Sequence, residues 1–456
     1  MQTNRKVDRM AREYWREVDP KMGRCQPQEP EVKRMKKSKI NQPIRLVALT
    51  VVVLVIMTAC GSGSASNNAN GSTPSNKGGQ FVIGTVNGLT GQYSSIGNTE
   101  LNALKVGIKQ VNADGGIMGK KVVLVSRDDG SDPAQELLAV QDLVSNVKPD
   151  LLCPDPISSL ALASLPFTSA QKILTMGNGS SPALGDPKNY PYNFTFGDLS
   201  SERAIAVVQA VLNTKQTKVG VLYQAASAQT TFAQSFSQLA PTVGLTVVNS
   251  VSVGSTTDMT PELAQIRQSG ANVLVFDDQA VGQLTVAMTG LQTLGWKVPV
   301  YVTPDVVNGD MSKLVPDSVK SQFHAVDLLI STTAAESRPA VKAWVNAMVK
   351  LGPLLQRPNA GQTDIVWVAK WAYETSQKKY GNVSASSVTK VLETIGNKNA
   401  FPYADKMVEW NPNPAFSAES HNTAAFDYSN FWAIHGATTP VNGGYPDATP
   451  FKITIK

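Results

Sequence analysis

The side chains best suited to covalent chemistry are few and scattered in this sequence. Its three histidines, His324, His421 and His435, fall in separate segments. Nucleophilic catalysis needs a base within hydrogen-bond reach of its nucleophile, and the spacing supplies no such pair. There is no GxSxG elbow in the folded part and no GxGxxG after a strand. Gly119-Lys120-Lys121 is not a phosphate loop: Asp114 stands where a glycine is needed, and no Ser or Thr follows the first lysine. Asp128, Asp129 and Asp132 superficially resemble a calcium loop, but the sixth-position glycine and terminal glutamate are missing. Cys25, Cys60 and Cys153 are too few for a disulfide scaffold or a zinc cluster. Cys153, at a strand end, reads as a small buried hydrophobe. These residues predict no enzyme, no metal and no cofactor.

What remains is chemistry suited to gripping rather than cutting. Hydroxyls, glycine N–H groups and a few acids sit where apolar, strand-length runs end. The segments are Asn87–Ile96, Pro154–Ser159, Met176–Ser181, Gln224–Gln229, Asp277–Ala280 and Thr303–Val306. In open parallel sheets, ligands bind beyond the carboxyl ends of the strands.

The elements that must position these segments alternate strand and helix. Phe81–Val86, Val122–Val125, Leu151-Leu152 and Ile173–Met176 read as strands. Thr99–Ala113 reads as a helix with Leu101, Leu104, Ile108 and Val111 on one face. Asp132-Pro133-Ala134-Gln135 is a helix start with an N-cap acid and proline in the first position; its apolar stripe is Leu137, Val140 and Val144. After Asn193–Gly197 the rhythm restarts. Helices Glu202–Leu212, Phe232–Leu239, Pro261–Gln268 and Gly282–Leu294 alternate with strands Val219–Tyr223, Thr246–Val251, Val273–Phe276 and Val300–Val302. Residues 338–398 read as mostly helical, and 420–456 as strand and coil. Two βαβα runs predict two parallel-sheet α/β lobes.

Composition narrows the class further. The chain has 456 residues, 42% hydrophobic and 17% charged, enough to build a core and unlike a disordered chain. The net charge of +6 is uneven. Residues 1–59 carry 13 Lys and Arg against 6 Asp and Glu, whereas the rest carries 28 against 29. The body therefore lacks the basic surplus that nucleic acid demands.

The N-terminal charge has another use. From Met35 the sequence runs through Lys36, Lys37, Lys39 and Arg45 into an uncharged stretch from Leu46 to Ala59. A basic segment, an apolar segment and small residues form an export signal, and this apolar run is shorter than a bilayer span. Met57-Thr58-Ala59-Cys60 resembles the lipobox of bacterial lipoproteins. That resemblance implies cleavage before Cys60 and a diacylglycerol on its thiol. Residues 1–34 then form a non-native or disordered extension, 35–59 the signal peptide, and 60–80 a flexible tether.

The passage from 81 to about 185 resembles the start of type I periplasmic solute-binding proteins, in the leucine/isoleucine/valine-binding family of ABC importers. The resemblance rests on Ile83-Gly84, Leu89-Thr90-Gly91, Gly97, the string from Val111 to Lys120, and Arg127-Asp128-Asp129-Gly130-Ser131-Asp132-Pro133. Within this string, Gly115-Gly116 predicts a tight helix-to-strand turn with positive φ. The family implies two lobes joined by three crossings around a central ligand cleft. The crossings are expected near Gly197, Asp327 and Phe426. Lobe 1 would be 81–197 plus 328–426, and lobe 2 would be 198–327 plus 427–456.

Position by position, the resemblance implies that Ser158 or Ser159, with Ser180, holds a ligand carboxylate, and that Asp305 receives its ammonium. Ser95 and Asp278 are further candidates; Asp277 also ends a strand. Ile96, Ala228 and Ala280 stand where relatives often carry tyrosine, which implies a wider, less aromatic pocket, or one filled by a larger apolar ligand. The expected protein is a monomeric, lipid-anchored, extracytoplasmic receptor. It would deliver a small solute, an amino acid or a related carboxylate, to an ABC permease. A sensory binding module and an extracytoplasmic hydrolase are the alternatives.

Overall fold

The computed structural model describes residues 79–357, 360–396, 401–409, 416–423 and 432–455. The export signal, Cys60 and the expected crossing at Phe426 lie outside the described residues. Two sheets organise the chain. The first takes β1 (Gln80–Asn87), β2 (Lys121–Asp128), β3 (Leu151–Cys153), β4 (Thr175–Gly177) and β5 (Asn193–Thr195), in the order β2-β1-β3-β4-β5. All its pairings are parallel. The second contains β6 (Lys218–Gln224), β7 (Thr246–Val253), β8 (Val273–Asp277), β9 (Val300–Val302) and β10 (Phe323–Leu328). It continues into β11 (Trp432–His435) and β12 (Thr449–Phe451), in the order β12-β11-β10-β9-β8-β6-β7. Here the expectation of parallel strands needs one correction: β11 and β12 run antiparallel. The chain re-enters this sheet late and turns back directly, and an antiparallel edge needs no crossover helix.

Helices cover the sheets where apolar periodicity placed them. α1 (Ser94–Ala113) starts five residues before the predicted Thr99. α2 (Pro133–Asp142) begins as read, with Asp132 accepting from the amides of Ala134 and Gln135 at 2.8 and 3.0 Å. α3 (Ser158–Ala170) was not legible in the sequence. It carries Pro166 within it, and Ser158, Ser164 and Thr168 on its buried side, so its inward face has no continuous apolar stripe. α4 (Ser200–Leu212), α5 (Ser227–Leu239), α6 (Thr260–Gln268) and α7 (Gln283–Leu294) match the predicted rhythm. α8 (Pro339–Met348), α9 (Gly361–Tyr380) and α10 (Ala385–Leu392) make up the helical stretch expected after 338.

The strings that carry the resemblance prove to be structural. Gly115 and Gly116 take φ of +90° and +74°, and the amide of Gly116 returns to the carbonyl of Val111 at 2.8 Å, closing α1. A Cβ on Gly116 would lie 1.9 Å from the carbonyl oxygen of Lys120. Asp128 accepts from the amides of Leu89 and Thr90, at 2.9 and 3.3 Å, and from the Thr90 hydroxyl at 2.8 Å. Ser131 Oγ donates to the carbonyl of Thr90 at 2.7 Å and receives the amide of Tyr93 at 3.1 Å. Asp128 thus pins the loop after β1, and Ser131 aims Tyr93.

α9 lies along α1 at close range. Thr363 Oγ1 donates to the carbonyl of Ala103 at 2.7 Å, and Trp367 Nε1 to Gln110 Oε1 at 3.1 Å. Gly107 permits this approach, since a Cβ there would meet the carbonyl oxygen of Thr363 at 2.8 Å. Gly107→Ala should separate the helices and destabilise the fold by about 1–3 kcal/mol, read as a lower denaturation midpoint at unchanged m-value.

One buried feature opposes the hydrophobic reading of α2: Val140 turns inward as predicted, but Glu136 is fully buried beside it while Leu137 is only half-buried. Glu136 Oε1 accepts from Ser164 Oγ at 2.8 Å. Asp129 and Asp155 are buried beside it, and Asp155 receives the amides of Gly88 and Ile157 at 2.6 and 2.7 Å. Burial, reinforced by the charge of Asp129, pushes the Glu136 pKa from 4.5 up to about 8. Between those values the unfolded chain has lost a proton that the folded chain keeps. The stabilisation is complete below the unfolded value and is lost as pH rises through about 8. The thermal midpoint should therefore fall from pH 5 to 8, and Glu136→Gln should make that fall shallower by about 1.4 kcal/mol per pH unit.

Candidate functional site

The carboxyl ends of both sheets face one another across a cleft. Several contacts hold its two sides together. Gln224 Nε2, at the end of β6, donates to the Tyr93 hydroxyl at 3.1 Å. The amide of Val281 donates to the carbonyl of Gln92 at 2.9 Å, and Ser255 Oγ to Gln92 Oε1 at 2.7 Å. Ser181 and Ser227 pair their hydroxyls at 3.1 Å. A small apolar cluster of Tyr93, Ile96, Ile157, Leu160 and Ala280 spans the divide. Two positions where relatives often carry tyrosine, Ile96 and Ala280, therefore pack on a tyrosine from a different position, Tyr93. The cavity beneath the cluster has about 20 Å³ of space for the centre of a water-sized sphere, room for about one water.

Polar groups line this cavity. They include Glu100 from α1, Asn178 and Ser180 after β4, Asp198 and Arg203 at the start of α4, Gln279 after β8, Asp305 after β9, and Gln356 and Glu409. Arg203 is buried between two acids. Its guanidinium grips Asp198 through Nε at 2.5 Å and Nη2 at 2.8 Å. Its Nη1 lies 2.5 Å from Asp305 Oδ2, off the hydrogen-bond axis. Burial alone would lower its pKa, but Asp198 and Asp305 more than offset this and raise it. Asp305 also accepts from Gln229 Nε2 at 2.7 Å. Burial raises its pKa, with Arg203 opposing and Asp198 adding to the rise.

Of the residues singled out in the sequence, Ser180 and Asp305 line the cavity. Ser180 Oγ is buried without a hydrogen-bond partner, while its carbonyl takes the amide and hydroxyl of Ser200 at 2.9 and 3.1 Å. Ser158 stands one layer back, where its buried Oγ accepts the amide of Ser181 at 3.0 Å and so shapes the loop that carries Ser180. Ser159 and Ser95 are half-buried outside the lining; Ser95 Oγ contacts the carbonyl of Asn308 at 3.4 Å. Asp278 is buried and accepts the amide of Ala280 at 2.8 Å. Burial carries its pKa up to about 7, with Asp305 adding to the rise. Asp277 receives the Thr303 hydroxyl at 2.5 Å.

Sequence reasoning missed Glu100, Asn178, Asp198, Arg203, Gln356 and Glu409. For Glu100 a signal existed: it falls on the same α1 face as Ile96 and Leu104, an acid within an apolar stripe. Arg203 likewise opens a helix that is otherwise almost uncharged. Gln356 and Glu409 lie in irregular segments with no periodicity to mark them. Asn178 Oδ1 and Gln356 Nε2, like Ser180 Oγ, are buried with no hydrogen-bond partner. Three unpartnered polar atoms around one cavity form a surface prepared for a polar solute.

Comparison with known proteins agrees with this geometry. The family model for periplasmic binding proteins matches residues 80–421. A Leu/Ile/Val-binding protein homolog 8 of Brucella abortus is 26% identical over 203 residues, which is 42% of this chain and 50% of that protein. The chain thus spans about half the length of such relatives. A homolog 7 from Brucella melitensis is 23% identical over 397 residues, covering 81% and 91% of the two chains. A type 1 periplasmic binding protein from Bordetella pertussis superposes with a TM-score of 0.67 at 18% identity, over 82% of this chain and all of that one. That structural likeness shows a shared fold. Two α/β lobes, a polar cleft between their strand ends and a family match over most of the chain lead to one conclusion: this protein belongs to the periplasmic binding protein family, a family of solute-binding proteins and not of enzymes.

Proposed function

We propose that this protein is an extracytoplasmic receptor that captures a small solute in the cleft and delivers it to the permease of an ABC importer. The observation that carries the reading is the lining itself. Asn178 Oδ1, Ser180 Oγ and Gln356 Nε2 are buried together without partners, and each such group costs about 1–3 kcal/mol unless something bonds to it. A solute with complementary donors and acceptors supplies those bonds. The cavity's room for about one water requires the lobes to part before an amino acid or related compound enters. Closure then follows from contacts that exist only when the lobes meet. Tyr93, Gln224, Gln92 and Val281 supply such contacts, and a bound solute adds more. The N-terminal export signal and Cys60 support a lipid anchor.

Two measurements test this. A panel of amino acids, amides, short acids and aromatic acids should contain compounds that raise the thermal midpoint. A ligand at about 100 times its dissociation constant stabilises by about 2.7 kcal/mol, and Ser180→Ala should weaken it about tenfold, or about 1.4 kcal/mol. A midpoint indifferent to the whole panel would count against solute capture. Separately, Cys60→Ala should move the protein from the membrane fraction of its host to the soluble one. Retention on the membrane would remove the lipid anchor from the proposal.

A further inference from the structure

Three acids lie behind the cleft with no cation among them. Asp129 follows β2, Glu136 sits in α2 and Asp155 follows β3, and all three are buried. Among the described residues, no Lys, Arg or His pairs with any of them. The elements packed around them offer little charge. β1 and α3 carry none. Arg127 of β2 is partly exposed and held by Asp142 at 2.7 Å, and Lys121 opens β2 at the far end. Asp128 adds its negative charge to Asp129. Asp132, at the head of α2, is exposed and committed to the amides of its helix. Cys153 is a buried thiol at the end of β3. Burial, then the charges of Asp278 and Asp155, keep the Tyr93 phenol neutral.

Their oxygens show where protons must sit. Asp155 accepts the amides of Gly88 and Ile157, one on each oxygen. Asp129 Oδ1 accepts the amide of Ser131 at 2.8 Å, and Glu136 Oε1 accepts from Ser164. Asp129 Oδ2 and Glu136 Oε2 are buried with no such donor. The Asp129 carboxyl meets both of the others in side-chain hydrogen bonds. A hydrogen bond between two carboxyl groups exists only with a proton in it. Two such bonds hold two protons and leave one negative charge on the three groups. Full ionisation would put three like charges in one dry site, which burial strongly disfavours.

The same groups hold the loops of the cleft. Ile157 lines the cavity and packs on Tyr93 in the cluster that spans the divide. Gly88 begins the loop that leads to Tyr93, and Ser131 Oγ receives the Tyr93 amide. Asp155 thus fixes Gly88 and Ile157 directly, and Asp129 fixes Tyr93 through Ser131. We propose that Asp129, Glu136 and Asp155 form a proton-held clasp that keeps these loops in place and lets them go when its protons leave. Burial raises all three acids. Asp128 adds to the rise at Asp129, and the charges of Asp129 and Glu136 add to it at Asp155. Once the loops open, the acids meet water and return toward their ordinary values. Opening therefore releases protons between the ordinary glutamate value of 4.5 and about 8. The hold is complete at the acid end and is lost as pH rises through about 8. The clasp does not depend on what the cleft binds. That capture strengthens as pH falls rests on the reading of the cleft as a solute site.

Hydrogen exchange of the full chain, without solute and corrected for the intrinsic pH dependence of exchange, tests this. Peptides spanning Gly88–Tyr93 and Asp155–Ser158 are the readout, with Phe81–Gly84 of β1 as reference. The loops should exchange faster than β1 at every pH. Their protection should fall about tenfold for each pH unit up to about 8, the slope of an opening that releases one proton. Asp129→Asn combined with Glu136→Gln keeps a donor for each carboxyl hydrogen bond and removes the protons, so loop protection in that variant should not change with pH. Loop protection that is flat in pH in the native chain overturns the proposal, with no variant needed. So does a folded double variant whose loops keep the native slope. Loops that exchange only together with β1 overturn it as well, since the protons would then hold the fold and not the loops. Solute capture is tested separately by the compound panel, so failure of the clasp leaves the receptor reading standing.

Discussion

One guanidinium holds the centre of this molecule. Arg203 is buried among acids that could not remain charged together without it. Removing a single partner from such a group costs about 3–5 kcal/mol, because the remaining charge stays buried and unpaired. Asp198 lies where the chain passes from the first sheet into α4, and Asp305 sits at the end of β9 in the second sheet. The ion pairs therefore tie a crossing segment to a strand end and fix the cleft floor before any solute arrives. Fixed charges of this kind act through preorganisation: the cost of ordering them belongs to folding and not to binding.

The same constraint explains how the two sides of the cleft differ. On the second-sheet side, Asp305 pairs with Arg203 and accepts from Gln229 Nε2, while Arg203 Nη1 and Gln229 Oε1 have no hydrogen-bond partner. On the first-sheet side, Asn178, Ser180 and Gln356 keep polar atoms unpartnered. A wall built on ion pairs thus stands opposite one whose unpartnered atoms are neutral. Tyr93 closes the top through Gln224 and through contact with Ala280. Its aim comes from Ser131 and, through the loop, from Asp128. The acidic string after β2 thus affects the mouth of the cleft without touching its interior.

Much of the fold was legible because its signals are local. Apolar runs in β1, β6 and β8 are buried on both faces, and α1, α5 and α7 keep an apolar stripe, so period and length sufficed. α3 was lost because Ser158, Ser164 and Thr168 turn inward and Pro166 interrupts it. The site was legible only in part. Ser180 and Asp305 end strands, and the ends of parallel strands are where a cleft must form. Arg203, Asn178 and Glu409 gain their meaning from Asp198, Glu100 and Gly361, which lie 5, 78 and 48 residues away. Only the Arg203–Asp198 pair fits within one window of sequence.

The buried acids also connect folding to pH. Glu136 and Glu100 are both raised to about 8 by burial, one behind the loop that carries Ile157 and the other at the cavity wall. Both stay protonated at a pH where free carboxylates are ionised, and the fold loses stability as pH rises through about 8. The physical origin is the low dielectric around the two carboxyl groups, which disfavours their charged forms.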